Sequence, residues 1–141
     1  MNLHDSIGHL VHRTDVKLTN YFIKQLKHYE LTPEQWGIMS ILDNERGTTQ
    51  KELAATIDKD QTTVVRMIHS LEKKGIVKKT FNDEDKRSHY LLLTNKGEGL
   101  KETLLPIVKD AHNFIIRGLS TEEIQQLKSL LNKLYENATD K

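Results

Sequence analysis

The chain has 141 residues, no cysteine and a formal net charge of +1. That length fits one domain, and the missing thiols exclude disulfides, thiolate zinc sites, thiol redox sensing and cysteine nucleophiles. Hydrophobic residues make up 36% and charged residues 29%, which allows a modest core; total charge makes no case for nucleic acid, so any such case rests on where the charges lie.

The first residues, Met1-Asn2-Leu3-His4-Asp5, show no basic start followed by an apolar run. No apolar stretch approaches the ~20 residues that cross a bilayer. A cytoplasmic protein with no membrane partner is the expectation.

In residues 3 to 29, Leu3, Ile7, Leu10, Val11, Leu18, Phe22, Leu26 and Tyr29 recur mostly at threes, fours and sevens. This predicts one long amphipathic helix whose stripe must be buried on partner helices, of this chain or of a second copy. At Thr32-Pro33-Glu34-Gln35, threonine can cap, proline suits the first helical position and glutamine completes a capping box. The second helix runs through Trp36, Ile38, Met39, Ile41 and Leu42 and stops in Asn44-Glu45-Arg46-Gly47. Thr49-Gln50-Lys51-Glu52 repeats the capping device before a short helix with Leu53, Ala54, Ala55 and Ile57.

The stretch from Asp58 to Gly75 reads as the next helix. Asp58 or Asp60 can cap its start, and Gly75 can end it behind Lys73 and Lys74. At 100° per residue, Val64, Met67, Ile68 and Leu71 share one side. Thr62, Val65, Arg66, His69 and Lys73 share the other, without a carboxylate among them. The first side has the composition of a core face; the second suits base edges and phosphates. A short helix, a turn of about three or four residues and this helix follow the layout of a helix-turn-helix.

After Gly75 the period changes. Residues 76 to 81 alternate Val77, Lys79 and Phe81 against Ile76, Lys78 and Thr80, and His89 to Thr94 form a second strand candidate. The polar stretch Asn82 to Ser88 between them predicts a hairpin with a long tip. Thr94 can cap a further helix, with a kink or break expected at Pro106. Leu119-Ser120-Thr121-Glu122-Glu123 is a last capping box, and Ile124, Leu127, Leu130, Leu131 and Leu134 stripe the final helix.

The fold expectation is mainly α with a small β-hairpin wing. Several stretches carry a resemblance to a known family. They are Leu53-Ala54, then Thr63 to Ile68 with Leu71-Glu72-Lys73-Lys74-Gly75-Ile76-Val77, and Asp85-Lys86-Arg87 leading into Leu91-Leu92-Leu93-Thr94-Asn95-Lys96-Gly97. With them, nearly the whole chain resembles the MarR family of winged helix-turn-helix transcriptional regulators. The resemblance implies one MarR-type domain over 1–141, with residues 1–30 and 98–141 as dimerisation helices around a DNA-binding lobe at 31–97. It further implies a homodimer on a pseudo-palindromic operator in double-stranded DNA, in which two identical readers sit about 34 Å apart. Repression is the expected sign of regulation.

On that reading Gln61, Thr62, Thr63 and Arg66 lie near base edges or flanking phosphates. Gln61 can pair with adenine and Arg66 with guanine. Thr49, His69 and Lys73 are placed for backbone contacts. Arg87 would enter the minor groove, steadied by Asp85. From residue 59 to 79 six cations stand against Asp60 and Glu72, a local net charge of +4. Lys73-Lys74 as a solvated helix end and Asp85–Arg87 as a surface pair worth ~0–1 kcal/mol are the plainer readings of the same residues.

Tyr21, Tyr29, Trp36 and Phe114 are candidates to line a pocket for a small aromatic effector, with core packing as the alternative for each. His9 and His12, with His112 or Glu30, would be the ligands of a metal-responsive regulator; helical histidine pairs are common without metal, and no metal or cofactor is expected. The sequence holds no Gly-rich phosphate loop, nucleophile elbow or metal-ligand spacing, so no enzyme is expected. A winged helix used only for protein contacts would carry an apolar or acidic outer helix face and an unremarkable wing, which Arg66 and Arg87 oppose.

Overall fold

A computed structural model of the chain describes residues 2–42, 44–81 and 89–139. It divides into two compact units, Met1–Val108 and Lys109–Lys141.

In the first unit, α1 (Ile7–Leu26) starts at Ser6, whose hydroxyl accepts the backbone N–H of His9 at 3.2 Å. A short 3-10 turn, Leu3–Asp5, precedes it and another, Lys27–Tyr29, follows. The single helix expected over 3 to 29 is therefore trimmed at both ends. Ser6 holds an extended backbone to cap α1, and Glu30 turns left-handed (φ 56°) to close the last turn. At α2 (Pro33–Ile41) both halves of the Thr32–Gln35 capping box are made, each at 3.1 Å. This satisfies two backbone or cap groups that the helix alone leaves open.

Thr49 accepts the backbone N–H of Glu52 and starts α3 (Gln50–Ile57). The Glu52 carboxylate accepts from Arg46 Nη2 at 2.8 Å. Asp58 adopts the left-handed region (φ 57°) and closes α3; it does not open the next helix. Asp60 caps α4 (Gln61–Lys73) instead, and Gly75 follows at φ 74°. Aspartate is one of the few non-glycine residues that visit this left-handed region routinely.

The wing has one strand more than the expected hairpin. β1 (Thr48–Thr49) pairs with Leu91 and Tyr90 of β3 (His89–Leu93), and β3 pairs with β2 (Val77–Phe81), giving an antiparallel sheet in the order β1-β3-β2. Two residues are too few to show a period, so β1 left no signal in the sequence. The alternation expected along residues 76 to 81 is not expressed as burial. Only Val77 within β2 is buried, because the ribbon runs out beyond the core.

That core joins α1, α2, α3, α4, the sheet and the first half of α5 (Asn95–Ile115). Leu26, Ile38, Met39, Leu53, Val64, Ile68, Leu71, Leu91 and Leu104 are its fully buried side chains. Each contributes about 1.5–3 kcal/mol relative to exposure. Thr94 caps α5 by accepting from Gly97 N at 3.0 Å. The helix is assigned without interruption through Pro106, so the break expected there is corrected. Proline removes one N–H from a 21-residue helix, and the remaining bonds carry it across.

In the second unit α6 (Thr121–Thr139) opens with the expected capping box. Ser120 Oγ accepts from Glu123 N at 3.0 Å, and Glu123 Oε1 accepts from Ser120 N at 2.8 Å. No residue of α6 is buried, and Leu127, Leu130, Leu131, Leu134 and Tyr135 are exposed.

Candidate nucleic-acid interface

The site begins with the cap of α4. Asp60 accepts the backbone N–H of Thr63 at 2.7 Å. This bond, then a second one to the Thr63 side chain, then the nearby charges of Arg66 and Lys59 hold the Asp60 carboxyl below its ordinary range. From that start the helix phase is set by its apolar side: Val64, Ile68 and Leu71 are fully buried, and Met67 is half-buried against the core.

The opposite side is therefore turned outward. Gln61, Thr62, Val65, Arg66, His69 and Lys73 are exposed and Thr63 is half-buried. Val65, at 47% exposure, is the apolar exception in a face otherwise made of hydroxyl, guanidinium, imidazole and ammonium groups. Lys78, Lys79 and Thr80 of β2 are exposed as well. Lys79 Nζ lies 3.6 Å from Glu72 Oε1, an exposed pair that ties the wing loosely to α4. Thr49 is half-buried; its hydroxyl bonds the N–H of Glu52, and its backbone pairs with Tyr90. Asp85, Lys86 and Arg87 lie outside the described residues.

Two neighbouring lysines, of which only Lys73 is expected at the DNA backbone, have different surroundings. Lys73 is exposed, whereas Lys74 is half-buried and donates to the backbone carbonyl of Glu30 and to Gln35 Oε1 at 3.1 Å. Gln35 Nε2 in turn donates to Ser70 Oγ at 3.2 Å. The sequence gives no sign of this cluster, because its members lie up to 44 positions apart.

The candidate effector residues are placed as follows. Tyr29 and Trp36 pack against the core, and Tyr21 meets Phe22 edge-on at 6.1 Å. Phe114, in the second unit, lies under the Arg117 guanidinium at 3.8 Å. Among the described residues no three histidine, aspartate or glutamate side chains gather to hold a metal. No described helix is long and apolar enough to cross a membrane.

A tight α3–turn–α4 pair, packed on α2 and followed by a β2–β3 ribbon that β1 extends to three strands, is a winged helix-turn-helix. Comparison with known proteins agrees. The model of the MarR family matches residues 31–89. A mutant MarR from E. coli complexed with operator DNA is 26% identical, with a TM-score of 0.84 over 91% of this chain and 92% of that one. The transcriptional repressor CouR, bound to a 23-mer DNA duplex, is 26% identical, with a TM-score of 0.85 over 94% of both chains. MepR from S. aureus, in a DNA complex, shares the fold at a TM-score of 0.87 and 23% identity, over 94% of this chain and 98% of that one. Over residues 31–89 the chain therefore matches the MarR family of winged-helix regulators, and it shares their fold over most of its length.

Proposed function

We propose that the chain is a homodimeric, sequence-specific DNA-binding transcriptional regulator that represses from a roughly palindromic operator. The observation that carries this reading is the outward side of α4. A helix locked by three fully buried residues presents Thr62, Arg66, His69 and Lys73 to solvent with no carboxylate among them. Such a face is fit for the major groove, where hydroxyls and guanidinium groups meet base edges and phosphates. The DNA complexes of E. coli MarR and of the repressor CouR support it by family likeness.

The dimer reading draws on apolar surface that one chain leaves open. Ile7, Val11, Val16 and Ile23 on α1 are exposed, as are Leu127, Leu130, Leu131 and Leu134 on α6. Apolar surface of this extent favours a partner, and a second copy supplies the symmetry that a two-half-site operator requires. Asp85 and Arg87 complete the proposal as the wing-tip pair, with Arg87 in the minor groove.

Selection of bound fragments from random duplex DNA at low ionic strength tests the function. The expected product is a pseudo-palindrome with half-sites about one helical turn apart. Recovery of no sequence, or of an asymmetric one, would overturn the reading. A winged helix serving protein contacts alone would give the first of these results.

A further inference from the structure

The α4 helix is tied to the turn between α1 and α2 by a polar cluster that the DNA-facing residues do not use. Lys74, the C-cap residue of α4, reaches away from the exposed face. Its ammonium donates to the Glu30 carbonyl and to Gln35 Oε1 at 3.1 Å. Glu30 is one of two described non-glycine residues with positive φ, and its left-handed backbone ends the Lys27–Tyr29 turn. Gln35 also accepts the N–H of Thr32 in the capping box that opens α2, while its amide donates to Ser70 Oγ on α4. One cation thus joins the end of α1, the start of α2 and the last turns of α4. The far side of the same helix end is fixed independently: Lys96 Nζ donates to the Lys74 carbonyl at 2.8 Å, and Thr94 Oγ1 donates to the Gly75 carbonyl at 2.5 Å.

We propose that Lys74 is a positioning residue for DNA recognition: it sets the pose of α4 on the α1–α2 scaffold, and through it the half-site spacing that the dimer accepts. The proposal rests on the DNA-binding dimer described above. An ammonium engaged by the Glu30 carbonyl and the Gln35 amide is turned to the junction of α1 and α2, so on this reading it is not one of the phosphate contacts. The consequence differs from that of Lys73. Removing a phosphate contact weakens all duplexes alike and lowers the salt dependence by about one ion per contact. Removing a strut between the reading helix and the dimer scaffold blurs geometry and leaves the ion count unchanged.

The test uses the full chain, the operator recovered by selection, and two versions of it with one base pair added or removed between half-sites. The wild-type protein is expected to prefer the native spacing. With Lys74→Met the ratio of native to altered-spacing affinity should fall by about fivefold or more, a coupling of a size typical for linked sites, with the salt slope unchanged. Lys74→Arg retains a long cationic donor and should restore the preference. Ser70→Ala removes only the bond donated by Gln35 Nε2, leaves both Lys74 bonds in place, and should give a smaller change in the same direction. An equal loss on all three spacings would overturn the proposal: with a smaller salt slope Lys74 is a phosphate contact, and with an unchanged slope it is merely structural. If circular dichroism shows Lys74→Met unfolded, Lys74→Gln, which keeps a polar group but loses the cation and its reach, decides, and wild-type spacing preference in that variant overturns the proposal. Wild-type protein that binds no duplex would instead overturn the DNA reading itself.

Discussion

The Asp60 carboxylate and the Thr63 backbone N–H lie 2.7 Å apart, and this bond opens the helix that carries the proposed reading face. The same bond is the leading cause of the lowered Asp60 pKa. A carboxyl with a folded pKa below its unfolded one adds stability above the unfolded value and loses it as pH falls through the folded value. Asp60→Asn keeps a capping oxygen but removes the charge. Wild type should therefore exceed Asp60→Asn in stability at about pH 7, and the gap should close as the medium becomes more acid than the ordinary aspartate range. Urea unfolding followed by circular dichroism across that range checks it. Curves that stay parallel would show that the charge adds nothing to the cap.

Arg66 is exposed in the second turn of α4, and Thr62, Val65, His69 and Lys73 on its face carry no carboxylate; the cap residue Asp60 is the acidic group near enough to feel its charge. Arg66→Ala should weaken operator binding by roughly 1–3 kcal/mol, about 10- to 100-fold. Stability should change by no more than about 0.5 kcal/mol, since the side chain supports no core contact. Fluorescence anisotropy on operator variants divides two roles. Relaxed preference at one symmetric pair of positions marks a base reader, and uniform weakening with a smaller salt slope marks a phosphate contact. Unchanged affinity would remove Arg66 from the interface.

How far the sequence reveals this site depends on the range of each signal. The faces of α4 were legible because a helix of 13 residues repeats its apolar spacing several times. The Thr32–Gln35 and Ser120–Glu123 boxes were legible because both partners sit three residues apart. Asp58 and Asp60 were not separable, since either can cap. Only the chain reversal, which puts Asp58 in the left-handed region, decides between them. Lys73 and Lys74 are neighbours in sequence but about 100° apart on the helix. One meets solvent and the other a carbonyl 44 residues away, a distinction no local pattern contains. β1 has no local signature because its pairing is imposed by β3.

Gly97 shows what the Leu-Thr-x-x-Gly stretch does physically. A Cβ at this position would lie 2.3 Å from the Ile76 carbonyl oxygen, and that carbonyl is held by the Thr94 N–H at 2.9 Å. Gly97→Ala should therefore destabilise by about 1–3 kcal/mol through overpacking, outweighing the ~1 kcal/mol that alanine gains in a helix. Gly99, two residues on, has nothing within 4 Å of its ideal Cβ. Gly99→Ala should stabilise by up to about 1 kcal/mol. Denaturant midpoints of the two variants check the pair, and equal shifts would contradict the close approach of α5 to residue 76.

Leu127 and Leu131 stand one turn apart on α6, at 48% and 44% exposure. In a lone chain, glutamate at either position would stay hydrated and cost little. In a homodimer that covers this stripe, each carboxylate would lose its water without gaining a partner, a penalty of several kcal/mol. Leu127→Glu with Leu131→Glu should therefore halve the mass seen by light scattering while the helical circular dichroism signal is retained. Operator binding should fall more than non-specific binding, because a lone subunit reads only one half-site. An unchanged mass would place the dimer contact elsewhere on the chain. A halved mass with undiminished operator affinity would separate self-association from recognition.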